Sequence, residues 1–95
     1  MADIEVSKNE EESRFEAHGG GQLLGYISYE VREGVIDLPH TLVFPEYEGQ
    51  GVGSALVRQS LDMIREMDNI KVIPTCPFIN IWIRRHKDYQ DLLAK

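Results

Sequence analysis

The chain has 95 residues, 42% hydrophobic and 27% charged, with a formal net charge of -6. That length holds one core and excludes a separate substrate domain. The acidic balance disfavours nucleic-acid binding by the whole surface, and a lone cysteine, Cys76, excludes an internal disulfide, in keeping with a reducing compartment.

No run of about 18 apolar residues occurs, and the segment Met1 to Glu12 is acidic. The expectation is therefore one domain over residues 1–95, cytoplasmic and without membrane association. Charge is unevenly placed. Residues 71–95 hold Lys71, Arg84, Arg85, Lys87 and Lys95 against Asp88 and Asp91, a balance of +3 that leaves -9 on residues 1–70.

In chain order, residues 1–12 are expected as a flexible acidic arm or an edge strand, with Ile4 to Val6 alternating apolar and polar. Arg14 to Ala17 alternates likewise, and His18-Gly-Gly-Gly-Gln22 supplies a turn. Leu23, Ile27, Tyr29 and Val31 share one parity, with Gly25 between, and predict a second long strand. Arg32-Glu33-Gly34 reads as a hairpin turn, since glycine accepts a positive φ without steric cost. The next strand is expected over Val35 to Phe44, with Ile36, Leu38, His40, Leu42 and Phe44 on one face and Asp37, Thr41 and Val43 on the other. Pro39 lies inside it and offers no N–H to a ladder, which predicts a bulge.

Gly49, Gly51 and Gly53 stand at alternate positions, followed at once by a helical run over Ala55 to Met67. Its stripe is Val57, Leu61 and Ile64, with Arg58, Asp62, Arg65 and Glu66 outside. Such glycines let the backbone approach a bulky anion, and the helix start aims free N–H groups and the positive dipole end at the same place. The pattern is a phosphate cradle built from main chain. It is not a P-loop, because no lysine follows any glycine, and not a dinucleotide fingerprint, because Ser54 stands at the third glycine and Asn69 and Ile70 where an acid is needed.

Lys71 to Thr75 reads as a short buried strand, parallel to the earlier one because a helix connects them. Cys76-Pro77 opens a second helix, Phe78 to His86, with Phe78, Trp82 and Ile81 or Arg85 along one side. Proline favours the first helical position, which makes Cys76 the N-cap. The fold class is α+β: an antiparallel meander, then β-loop-α-β-α on a mixed sheet.

The glycine loop resembles the pyrophosphate loop of the GNAT superfamily of N-acetyltransferases, Arg/Gln-x-x-Gly-x-Gly/Ala between a strand and a helix. Gly51 and Gly53 match, while Glu48 stands at the Arg/Gln position. The blocks His40-Thr41-x-Val43, Gly49-Gln-Gly-Val-Gly53 and Cys76-Pro77-Phe78, ahead of Tyr89-Gln90-Asp91-Leu92, resemble a small GNAT-like subfamily made of this domain alone. The resemblance covers residues 14–93 and implies the GNAT core in its shortest form, acetyl-CoA or CoA as cofactor, and an amine as acceptor. By that resemblance the backbone of Leu42, Val43 and Phe44 meets the pantetheine amides, and Gly49, Gln50, Gly51, Val52, Gly53 and Ser54 wrap the pyrophosphate. Cys76 and Phe78 stand beside the cofactor, and Asn80, Arg84 and Arg85 reach its far end, the alternative for the arginines being plain surface charge. No metal site is expected, because three histidines and one cysteine lack ligand spacing.

Acetyl transfer needs a neutral amine. With a lysine-like reference pKa of ~10.4, deprotonation at pH 7 costs roughly 4.6 kcal/mol, so a base or proton route must exist. His40 sits on an otherwise apolar parity, and imidazole suits the task, the alternative being a satisfied core histidine. Cys76 caps a helix whose N-terminus favours a thiolate, so it is a candidate to accept the acetyl group and pass it on; the alternative is a buried thiol that only packs. The tyrosine acid of many GNAT enzymes, in an Asn-x-x-Ala…Tyr pattern, is not matched, since Ile83 replaces the alanine and Tyr89 comes late. That mismatch leaves Cys76, His40 or His86. Two further readings stand beside the N-acetyltransferase: a non-catalytic CoA or acyl-CoA sensor or carrier, and a non-enzymatic adaptor anchored by an exposed Trp82 and Tyr47. The oligomeric state is left open, because the acidic arm and the last strand each offer an edge.

Overall fold

Glycine pairs and prolines decide where the strands begin and end. In the computed structural model, which describes residues 3–94, β1 (Glu5–Asn9) pairs antiparallel with β2 (Arg14–Gly19). The acidic N-terminal segment is thus an edge strand from Glu5 onward; Met1 and Ala2 lie outside the described residues. β2 turns into β3 (Gln22–Ser28) through Gly20 and Gly21, with φ 56° and 77°. Two successive positive φ values give the two-residue hairpin whose twist matches its strands.

The long strand expected through Val31 stops at Ser28. After Tyr29 the chain enters β4 (Glu30–Arg32), and Val31 is 55% exposed. Gly34, φ 71°, turns β4 into β5 (Val35–Asp37). The strand expected over Val35 to Phe44 is likewise two pieces: β5 belongs to one sheet and β6 (Thr41–Val43) to another. At Pro39 the chain goes further than a bulge, because pairing stops and the strand changes partners. The break also slips the side-chain phase by one residue. Ile36 and Leu38 point into the core at 0% exposure, but beyond Pro39 it is Thr41 and Val43 that turn inward, while His40 and Leu42 are exposed. Since side chains alternate with period two, one residue of slip moves a whole set to the other face.

α1 (Val52–Arg65) starts three residues before the expected Ala55, and β7 (Lys71–Ile73) ends where Pro74 removes the next ladder donor. β7 lies parallel to β5, as a helical crossover requires. The two sheets run β1-β2-β3-β6 and β4-β5-β7. α1 covers the β1-β2-β3-β6 sheet with Val52, Leu56, Val57, Leu61 and Ile64, each at most 1% exposed and each contributing about 1.5–3 kcal/mol of burial.

α2 (Pro77–Arg84) carries Pro77 at its first turn and Cys76 at its N-cap. Its buried stripe is Ile79, Trp82 and Ile83, so Trp82, expected to be exposed as an adaptor anchor, is buried at 6%, whereas Phe78 and Ile81, grouped with it on one side, are 46% and 51% exposed. The 3-10 turn Lys87–Leu92 then returns the chain along α1, where Tyr89 donates to Asp62 Oδ1 at 2.8 Å.

Candidate functional site

The free edge of β6 faces the gap between the sheets. Ser28 N–H donates to His40 O and Phe44 N–H to Leu24 O, both at 3.0 Å. Antiparallel pairing alternates, so His40, Leu42 and Phe44 spend their backbone groups on β3, and those of Thr41 and Val43 point to the open side. Leu42 and Phe44 are therefore not the residues whose amides are free; Val43 is, while the Thr41 N–H turns to the Cys76 sulfur.

After β6 a 3-10 turn, Pro45–Tyr47, leads to Gly49 and Gly51, both left-handed at φ 82° and 81°. Gly51 is the N-cap of α1 and brings no side chain to its amides. The first helical bond runs from Ala55 N–H to Gly51 O at 3.0 Å, leaving the amides ahead of it without intrahelical partners. They open on a cleft of about 320 Å³ walled by Thr41, Val43, Tyr47, Glu48, Gly49, Gly51, Val52, Gly53, Ser54 and Phe78. Gln50 is exposed and does not line it. Gly53 has an ordinary helical φ and is glycine for another reason: a Cβ there would meet the Phe78 ring at 3.1 Å.

A second cleft, about 280 Å³, shares Ser54 and Phe78 with the first and continues along Ile81, Trp82, Arg85 and His86. Of the far-end candidates, Arg85 lines it. Arg84 is exposed elsewhere and Asn80, half-buried, lines neither cleft.

Cys76 is 7% exposed. It stands beside Thr41, its thiol donating to Oγ1 at 3.4 Å, and its amide donates to Leu38 O at 2.9 Å. The sulfur closes no capping hydrogen bond, yet it lies over the α2 N-terminus. Burial pushes the thiol up, but the Thr41 hydroxyl and the backbone N–H groups of Ile79, Phe78 and Thr41 outweigh it and hold it below its ordinary value.

His40 is exposed rather than set in the apolar face, because of the phase slip at Pro39. It occupies the sheet face opposite Thr41. His86 is half-buried, stacked on Trp82 at 3.7 Å with Nδ1 2.6 Å from the Trp82 carbonyl. Tyr89 is 8% exposed and lines neither cleft; burial and its bond to Asp62 raise its phenol pKa. Thr41, Tyr47, Ile81 and Trp82 line the groove without having been assigned to it from sequence, and His86, a candidate from sequence, lines it too. For Thr41 the signal was present in the His40-Thr41-x-Val43 block but was masked by the wrong parity.

The sequence that builds this glycine turn, uncapped helix and free strand edge matches a family model. The model described as GCN5-related N-acetyl-transferase matches residues 14–92. The chain belongs to that family. It is thus an acyltransferase of the acetyltransfer class, and the family generally uses acetyl-CoA. A search of the curated proteins finds no match. No described helix is long and apolar enough to cross a membrane.

Proposed function

We propose that this GNAT domain binds acetyl-CoA in the joined clefts and transfers the acetyl group to an amine by way of Cys76. The observation that carries the reading is the pair of clefts meeting at Ser54 and Phe78, with the open amides of α1 between them. The amides of Val52, Gly53 and Ser54 hold the diphosphate, helped by the positive end of α1. Gly49 and Gly51 let the main chain approach it. Val43 presents the unpaired edge of β6 to the pantetheine amides, since an unpaired main-chain group costs about 1–3 kcal/mol until something satisfies it. Arg85 sits at the far end, with Arg84 and Asn80 outside the lining. Glu48, on the wall of the first cleft, opposes the anion and lowers the affinity an arginine would give.

At the other end, the Cys76 thiolate attacks the thioester carbonyl. A carbon–sulfur bond forms to Cys76, the bond to the CoA sulfur breaks, and CoA leaves as the thiolate. The incoming amine then attacks the acetyl group on Cys76 and releases the cysteine thiolate. The amine proton passes to the released Cys76 thiolate, because His40, the base expected from the sequence, is exposed on the sheet face away from Cys76.

Intact-protein mass spectrometry after mixing with acetyl-CoA tests this route. The wild type is expected to gain the mass of one acetyl group, and Cys76→Ala none. Equal labelling of the two, or none in either while an amine is still acetylated, refutes the covalent step. Titration calorimetry with CoA tests the groove, and absence of binding removes the cofactor reading altogether.

A further inference from the structure

The indole N–H of Trp82 donates to Ser54 Oγ at 3.1 Å. Ser54 is in the first turn of α1 and is shared by both clefts, while Trp82 belongs to α2 and is 6% exposed. The indole is held in place by its neighbours. His86 stacks on it with an interplanar angle of 11°, Arg58 stands 5.1 Å from its ring centre, and Tyr89 meets it edge-on at 5.1 Å. The direction of its N–H is therefore set by packing.

A serine hydroxyl has one proton and two lone pairs, and an indole N–H only donates. A serine in a helix is otherwise free to turn its proton back to a carbonyl of the preceding turn. With a lone pair occupied by Trp82, the Ser54 oxygen acts as acceptor on that side and keeps its O–H for the cleft, beside the open amides.

We infer that Trp82 is a positioning residue for the phosphate end of the ligand: by donating to Ser54, it orients the serine hydroxyl as a donor to the anion. This rests on the reading that the cleft holds coenzyme A. The aromatic cluster on α2 thereby acts on the diphosphate through Ser54, while Trp82 and His86 also line the second cleft.

Calorimetric titration of CoA into wild type, Trp82→Phe, Ser54→Ala and the double variant tests it, with pantetheine, which lacks the diphosphate, as the control ligand. Each single change is expected to weaken CoA about three- to tenfold. The double variant should bind no more weakly than Ser54→Ala, and pantetheine affinity should stay the same throughout. Additive losses in the double variant, or a loss shared by pantetheine, mean that Trp82 only clamps α2 to α1 and overturn the inference. Should Trp82→Phe not fold, the wild type still decides. Its single tryptophan gives one indole cross-peak in a proton–nitrogen correlation spectrum. That peak should move with CoA and stay with pantetheine, and a peak unmoved at saturating CoA overturns the inference. A wild type that binds no CoA instead removes the parent reading, so the two failures are distinct.

Discussion

Thr41 Oγ1 and Cys76 Sγ lie 3.4 Å apart across the gap between the two sheets, joining the inward face of β6 to the N-cap of α2. The hydroxyl accepts from the thiol and can donate to the thiolate, so it favours the charged form that burial penalises. Replacing Thr41 by Val removes the first of the groups that offset burial. The thiol pKa should then rise, and the midpoint of Cys76 alkylation against pH should move upward. Thr41→Ser should leave it in place. A midpoint unchanged in Thr41→Val means the α2 amides alone set the thiolate.

Two glycines separate backbone from side-chain crowding. A Cβ on Gly25 would lie 2.4 Å from Leu42 O and 3.0 Å from Val43 Cα, where the strand cannot yield. On Gly53 it would meet only the half-exposed Phe78 ring, which can swing, and alanine gains up to about 1 kcal/mol of helix propensity there. Gly25→Ala should cost about 1–3 kcal/mol or more in a denaturant titration. Gly53→Ala should keep its stability and lose CoA affinity, since the ring it displaces walls both clefts.

Gln59 on α1 pairs with the outer edge of β1 as a strand would: Val6 N–H donates to its Oε1 at 3.1 Å and its Nε2 donates to Ile4 O at 2.9 Å. This side chain blunts the edge that the sequence left open to a second copy. Gln59→Leu should destabilise by about 1–3 kcal/mol, because both backbone groups lose their partner. Amide exchange at Val6 should accelerate by more than exchange at Phe15, and equal rates in both proteins would show the clamp to be inert.

Glu16 is a buried acid on the sheet face away from α1. Burial raises its pKa, but bonds from Arg14 Nε at 2.6 Å and Asn9 Nδ2 at 3.0 Å outweigh it, so the folded value is depressed. A depressed carboxylate contributes stability above its unfolded pKa of ~4.3, and that contribution is lost as pH falls through the folded value. Melting temperature should fall with acidification below that range, and Glu16→Gln should flatten that part of the profile.

Tyr89 donates to Asp62 and accepts from Arg58 at 3.4 Å, far from acid duty in the groove. Tyr89→Phe should lower stability by about 1 kcal/mol and leave the turnover number unchanged. A large fall in turnover at unchanged stability would return Tyr89 to the chemistry.

The helices, their order and the parallel β5–β7 pair were legible because each rests on local signals: a 3.6-residue stripe, Pro77 after Cys76, and a crossover that must contain α1. The glycine cradle was legible for the same reason, since Gly49 and Gly51 need their left-handed φ whatever surrounds them. The sheet face of His40 and Leu42 was not. Periodicity assumes an unbroken strand, and Pro39 breaks the count by one residue, which reversed every assignment beyond it, including which β6 amides are free. The buried side of α2 is not legible, because Phe78 and Ile81 are as apolar as Ile79 and Ile83; only the position of α1 decides which pair meets a neighbour.

From its own letters the chain determines an α+β fold with a left-handed glycine turn ahead of a helix and a cysteine at a helix cap, because those depend on backbone preferences within a few residues. Only the folded molecule decides that Thr41 meets Cys76, that Trp82 meets Ser54 and that Gln59 guards β1. These pairs lie 35, 28 and 53 residues apart, and contacts at such separations are set by how two sheets and two helices pack, a property that no local stretch carries.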